Sequence, residues 1–206
     1  PGLVDKAVES GMHAVALTDH GNMFGIKEFF NYVRKKNSKV NHEIAELNKS
    51  LHKEDLPEEE KITLTQQIEA AQKKLFKPIL GCEAYVARRS RFSKEKDNVV
   101  DRSGYHLVLL AKNKTGYRNL CKLVSMGWMD GFYYRPRIDH DILEKYSEGI
   151  IASSACLGGE IHKKVEKGDL AGAEESILWY KKVFGDDFYI ELQRHETDKP
   201  NADRTV

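Results

Sequence analysis

The stretch HAVALTDHGNMFG, residues 13–25, decides how the rest of the chain is read. An apolar run, Ala14-Val15-Ala16-Leu17, stops abruptly at Thr18-Asp19-His20-Gly21. A short continuous apolar run of this kind predicts a buried strand, here over 14–18. In parallel α/β folds, functional groups gather where strands end and loops begin. Asp19 and His20 stand at such an end, and Gly21 lets the chain turn without a Cβ penalty. Taken alone, the same residues also fit an Asp that caps the next helix and a His that fills space.

Outward from this point the chain alternates. Before it, PGLVDKAVESG reads as a helix with Val4, Ala7 and Val8 on one stripe and Gly11 as its stop. After it, Phe24, Ile26, Phe29, Phe30 and Val33 suit an amphipathic helix of about four turns. Strands are predicted over 78–87, 106–111, 149–154 and 188–193, and helices over about 114–129, 139–146 and 170–184. Strands alternating with helices predict parallel βαβ units, in an open sheet or a barrel.

Residues 38–77 break the rhythm. They are highly charged, with apolar residues at Val40, Ile44, Leu47 and Leu51 and again at Leu64, Ile68, Ala71 and Leu75. Both sets step by four, three and four, which is coiled-coil spacing. Pro57, between them, fits a first helical turn but not mid-helix, and Asp55 with Glu58 resembles a capping box. The segment is expected to be an antiparallel helical hairpin inserted into the α/β domain, either a spacer or a partner contact.

Composition narrows the function classes. The 206 residues are 40% hydrophobic and 32% charged, enough for one globular core with an appendage. A formal net charge of +1 supplies no global basic field for nucleic acid, so such contacts must come from local patches. Cys82, Cys121 and Cys156 are too few and scattered for a disulfide framework, which favours the reducing cytoplasm. No run approaches the roughly 18 apolar residues of a membrane span, so no membrane partner is expected. The first residues are neither a signal peptide nor a natural start, and the chain is expected to be a piece of something longer.

Three further positions share the character of His20. In strand 78–87, alternation puts Ile79, Gly81, Glu83 and Tyr85 on one face and Leu80, Cys82, Ala84 and Val86 on the other. A mid-strand carboxylate is costly to bury unless it is paired or binds a metal, though a solvated edge strand also accommodates it. Gly81 beside it is expected to leave room for a ligand. His106 shares a strand face with Val108 and Leu110, and Cys156 follows strand 149–154 in a loop of small residues, SSACLGG. A hydrogen-bonded core His and a plain buried Cys are the ordinary alternatives. Together, His20, Glu83, His106 and Cys156 come from successive strands and can converge on one metal. Mixed N, O and S ligands suit Zn, and N/O-rich sites also take Mn or Fe.

The runs TDHGNMFG, GCEAYVA, YHLVLLAKNKTGYRNL, GFYYRPRID, SSACLGGEI and FYIELQRH closely resemble one family. They are similar to the PHP (polymerase and histidinol phosphatase) domains at the N-termini of bacterial replicative DNA polymerase III alpha subunits. The resemblance covers the chain outside 38–77, and the long charged insertion resembles that of Bacteroidetes alpha subunits. It implies a distorted (βα)7 barrel, incomplete in these residues, with metal ligands at the C-terminal ends of its strands. By motif match it implies His20, Glu83, His106 and Cys156 as ligands to a divalent metal, with Asp19 orienting them and His195 reaching the same mouth. The family's opening His-x-His and closing Asp-x-His pairs are absent from the 206 residues. The chain is therefore expected to be a PHP fragment truncated at both ends, with about half of the metal cluster.

The resemblance implies metal-dependent phosphoesterase or 3′→5′ exonuclease activity accessory to a DNA-directed DNA polymerase. A scaffold with a vestigial metal site and a stand-alone histidinol-phosphatase-like hydrolase are the alternatives. Implied partners are DNA, the remainder of the alpha subunit and other replisome subunits. Two segments are candidates to hold DNA: Arg88, Arg89, Arg91, Lys94 and Lys96, and then Tyr133, Tyr134, Arg135 and Arg137. Cations there neutralise phosphates and tyrosines stack on bases. No protein nucleophile is apparent, and no carboxylate set for nucleotidyl transfer.

Overall fold

The computed structural model describes residues 1–53, 55–96 and 99–193. These carry eight α-helices and six strands, a mixed α/β architecture, divided into two compact units.

The first unit comprises residues 1–17 and 25–79. Helix α1 (Gly2–Glu9) buries Val4 and Ala7 and stops where Gly11 adopts φ +77°. Strand β1 (Ala14–Leu17) follows, then α2 (Ile26–Lys36), which buries Ile26, Phe29 and Val33. The helix starts after Phe24, so Phe24 is not on its buried stripe; it is 79% exposed. Asp5 ties α1 to α2, accepting from Tyr32 Oη at 2.6 Å and Lys36 Nζ at 2.8 Å.

Helices α3 (Ser38–Leu51) and α4 (Glu58–Gln72) form an antiparallel pair. The predicted apolar positions of both helices are half-buried or buried. Lys74, just past the end of α4, lies 3.6 Å from Glu43 near the start of α3. Asn37 closes the base by donating to the Phe76 carbonyl (2.8 Å) and accepting from its N–H (3.1 Å). The expected capping box does not form. Pro57 is the N-cap residue, with no side-chain cap, and Asp55 sits in the turn at φ +65°.

Strand β2 (Lys77–Ala87) begins in the first unit, where the Lys77 N–H donates to the His13 carbonyl, and continues into the second. The second unit (18–24 and 80 onward) adds β3 (Gly104–Ala111), α5 (Lys114–Met129), β4 (Arg137–Ile138), α6 (His140–Lys145), β5 (Ile150–Ser153), α7 (Glu160–Glu166), α8 (Leu170–Phe184) and β6 (Phe188–Tyr189). Its core is built from Cys82, Ala84 and Val86 of β2, Leu107 and Leu109 of β3, Leu120 and Leu123 of α5, and Tyr180 and Phe184 of α8. Gly116 of α5 permits the closest helix–loop approach: a Cβ there would fall 1.7 Å from the Gly149 carbonyl oxygen.

Strand direction departs from the expected parallel order. β4 is parallel to β2 and β6 to β5, but β3 is antiparallel to both β2 and β5. Parallel neighbours need a crossover connection, usually a helix. Between β2 and β3 the described residues hold only a short 3₁₀ turn, Val99–Arg102, so the chain doubles back. The N-terminal end of β3 therefore lies at the same edge as the C-terminal end of β2.

Candidate metal centre

Three predicted residues meet at that edge. The segment after Leu17 runs beside β2: the Glu83 N–H donates to the Asp19 carbonyl at 3.1 Å, and the Gly21 N–H donates to the Glu83 carbonyl at 2.9 Å. Both backbone groups of Glu83 are thus spent on fixing the His20 turn. Gly21 adopts φ +67°, and a Cβ there would lie 2.7 Å from Pro136, so this turn requires glycine on both counts. His106, the third residue of β3, faces Tyr85 across the ladder.

The result is one carboxylate between two imidazoles. Glu83 Oε1 lies 2.8 Å from His106 Nδ1 and 3.6 Å from His20 Nδ1. One ligand atom from each of the three residues falls within 4.8 Å of the others. Glu83 is the least exposed, with side-chain exposure of 18% against 27% for His106 and 57% for His20. Tyr85, on the same face of β2, forms the floor: it stacks on His20 at 6.1 Å and meets His106 edge-on at 5.3 Å.

Cys156 adjoins this cluster. Its sulfur is 3.5 Å from His106 Nδ1 and accepts from the Gly158 N–H at 3.4 Å. The His106 N–H donates to the Gly158 carbonyl at 2.9 Å, which fixes the loop against β3. A Cβ on Gly158 would sit 2.8 Å from His106 Nδ1, so the Gly158-Gly159 doublet lets the backbone reach the imidazole. The donor set fits a divalent cation. Two imidazoles and a carboxylate are donor types that divalent metal sites use, and thiolate is a further donor type that zinc accepts.

Other candidates fall differently. Asp19 meets Glu83 through its backbone carbonyl, and His195 lies outside the described residues. Gly81 does not leave space for a ligand: a Cβ there would meet the Leu109 carbonyl and the Leu110 and Thr18 side chains, so its role is close packing. His106 stands at the N-terminal end of its strand rather than the C-terminal end, because β3 is reversed.

Two of the arginines proposed for DNA are interior groups. Arg137 is 1% exposed and donates to the carbonyls of Gly131, Asp101, Arg91 and Ser93. Arg91 is buried against Asp139, which in turn caps α6. Arg89 is bound to Asp101 and Glu95. Lys94, Lys96, Tyr134 and Arg135 are exposed, Tyr133 is half-buried, and Arg88 lies over the Tyr105 ring at 4.9 Å. Arg135 lies over Tyr85 at 5.7 Å, which brings one cation beside the His20–Glu83–His106 cluster. Sequence reasoning missed Tyr85 and Gly158 as site-forming residues; strand alternation with Glu83 and the small-residue loop were the available signals.

Related sequences identify the family. The PHP domain profile matches residues 1–195. The DNA polymerase III subunit alpha of Borreliella burgdorferi is 43% identical over 193 residues, covering 94% of this chain and 13% of that protein. Its namesake from Chlamydia trachomatis is 39% identical over 95% of the chain, and that from Aquifex aeolicus 37% identical over 93%. The chain spans 13% and 14% of these two relatives. A profile match along nearly the whole chain, joined to strand-edge histidines around one carboxylate, places the chain in the PHP domain family.

Proposed function

We propose that this chain is the PHP domain of a bacterial replicative DNA polymerase III alpha subunit, in which His20, Glu83, His106 and Cys156 hold a divalent metal ion. The site then serves phosphodiester hydrolysis, as a 3′→5′ exonuclease accessory to the polymerase. The observation that carries this reading is the convergence of His20, Glu83 and His106 within 4.8 Å. The ion, zinc, manganese or iron, supplies Lewis acidity toward a phosphate oxygen and toward water. The chain's own part is positional. Glu83 supplies the anionic ligand, the Gly158 contact orients His106, and Arg135 offers a cation for a phosphate beside Tyr85.

In this reading the distorted (βα)7 barrel is completed by residues beyond the two ends, and 38–77 is an insertion that brings no chemistry to the site. DNA, the rest of the alpha subunit and other replisome subunits are its partners in the bacterial cytoplasm. A stand-alone histidinol-phosphatase-like hydrolase is disfavoured, because the relatives named above are polymerase subunits.

One observation favours a second reading, a scaffold with a vestigial site. Glu83 has a partner within the protein itself, His106 Nδ1 at 2.8 Å. A nuclease assay on a polymerase-length chain separates the two. The first reading expects metal-dependent shortening of a DNA strand from its 3′ end, lost in Glu83→Ala and His106→Ala while polymerisation continues. Identical shortening in the variants, or none in the parent, leaves the scaffold.

A further inference from the structure

Hydrolysis at the His20 edge requires something to hold a strand there, and three aromatic side chains beside that turn are unusually open. Phe24 is 79% exposed, Trp128 42% and Phe132 45%. They form one surface. Trp128 and Phe132 stack with centroids 5.4 Å apart and planes 18° apart, and Phe24 lies 6.1 Å from Trp128. The Trp128 indole N–H donates to the Gly21 carbonyl at 2.9 Å, so its polar edge is tied to the turn that carries His20. Asn22 ties Phe24 to the same turn, donating to the His20 carbonyl and accepting from the Phe24 N–H, both at 3.0 Å.

The segment after α5 joins this surface to the metal site. Phe132 stands near its start and Arg135 three residues on, over the Tyr85 ring that stacks on His20. Its path is fixed, since a Cβ on Gly131 would fall 1.8 Å from the Arg137 carbonyl oxygen. Arg102 lies over the exposed Tyr134 ring at 5.4 Å. This segment thus carries aromatic rings and cations side by side, with Arg135 over the Tyr85 ring that contacts His20 and His106. A contiguous exposed apolar surface marks an interaction site. This one is aromatic and flanked by arginine, the combination that stacks unpaired bases while neutralising their phosphates.

We propose that Phe24, Trp128 and Phe132 form a base-stacking platform for unpaired nucleotides of a single strand, and that Arg135 binds the phosphate leading from the platform to the His20–Glu83–His106 site. The proposal rests on the phosphodiesterase reading for its purpose, but not for its test.

The test measures binding to this chain in excess chelator, so that no metal contributes. A fluorescently labelled single strand of adenosines is compared with an abasic strand of equal length and charge. The base-bearing strand is expected to bind roughly tenfold or more tightly than the abasic one. Phe132→Ala and Trp128→Ala should each erase that preference, with abasic affinity and circular dichroism unchanged, while Arg135→Ala weakens both strands alike. Phe132→Ala keeps the test decisive if loss of the indole hydrogen bond disturbs the Gly21 turn. Equal binding of the two strands, or a preference that survives Phe132→Ala, overturns the platform; a surface that packs against polypeptide gives that result. Failure of the metal reading leaves the base preference untouched, and loss of the preference does not alter metal content, so the two failures are distinguishable.

Discussion

Replacing Glu160 by Gln is expected to destabilise the loop that carries Cys156 and Gly158. Glu160 opens α7 directly after that loop and is only 8% exposed. Its Oε1 accepts from Lys164 Nζ at 2.9 Å and Ser176 Oγ at 2.8 Å, and its Oε2 from Tyr180 Oη at 3.1 Å. His140 Nε2 stands 3.3 Å from Oε2. Burial alone would raise this carboxyl, but hydrogen bonds from His140, Lys164 and Ser176 outweigh it and bring the pKa down to about 2, from an ordinary 4.5. A depression of that size corresponds to about 3 kcal/mol of folding free energy from the ionised form. The contribution is complete above the unfolded value and is lost as pH falls through the folded one. Gln keeps the shape but strands Lys164, and removing one partner of a buried pair costs about 3–5 kcal/mol. With a urea slope of roughly 2 kcal/mol per molar, the midpoint at neutral pH should fall by about 1.5–2.5 M. Trp179, stacked on His140 at 3.8 Å, is the fluorescent reporter. The gap between the parent and Glu160→Gln should close as pH is lowered from 4.5 towards 2. Coincident urea curves at neutral pH, or a gap that stays constant through that window, would refute the reasoning.

Two further outcomes follow from the same contacts. Arg137→Met leaves four carbonyls without their donor in a site 1% exposed, so thermal unfolding should show a loss of at least about 3 kcal/mol, whereas Arg135→Ala, on the surface, should leave the melting temperature unchanged. Gly158→Ala places a methyl 2.8 Å from His106 Nδ1, so zinc affinity measured against a chromophoric chelator should fall by roughly ten- to a hundredfold, as when a group orienting a ligand is lost.

Local patterns in this chain are legible where one face is buried. Alternation in β2 places Cys82, Ala84 and Val86 in the core and leaves Glu83 opposite them, and the helices over 114–129 and 170–184 have the expected bounds. Strand direction was not legible, because the reversal of β3 follows a connection whose described residues hold only a short 3₁₀ turn. The short helix α7 was missed, since its charged EIHKKVE run offers little apolar periodicity. Buried arginines defeat a sequence reading for another reason. Arg91 finds Asp139 forty-eight residues away, and Arg137 is satisfied by backbone carbonyls that no side-chain pattern reveals. Trp128 and Phe132, in and just after a helix, are exposed aromatic residues that no periodicity in the sequence singles out.

The central claim, that His20, Glu83 and His106 with Cys156 hold a metal ion, is tested most directly by metal content. Equilibrium dialysis against zinc, manganese and iron(II), followed by elemental analysis, should be run on a polymerase-length chain, on this chain, and on Glu83→Ala and His106→Ala variants of the longer one. The account predicts stoichiometric metal in the polymerase-length parent and its loss in both variants, with circular dichroism unchanged. A parent that retains no more metal than Glu83→Ala would contradict it.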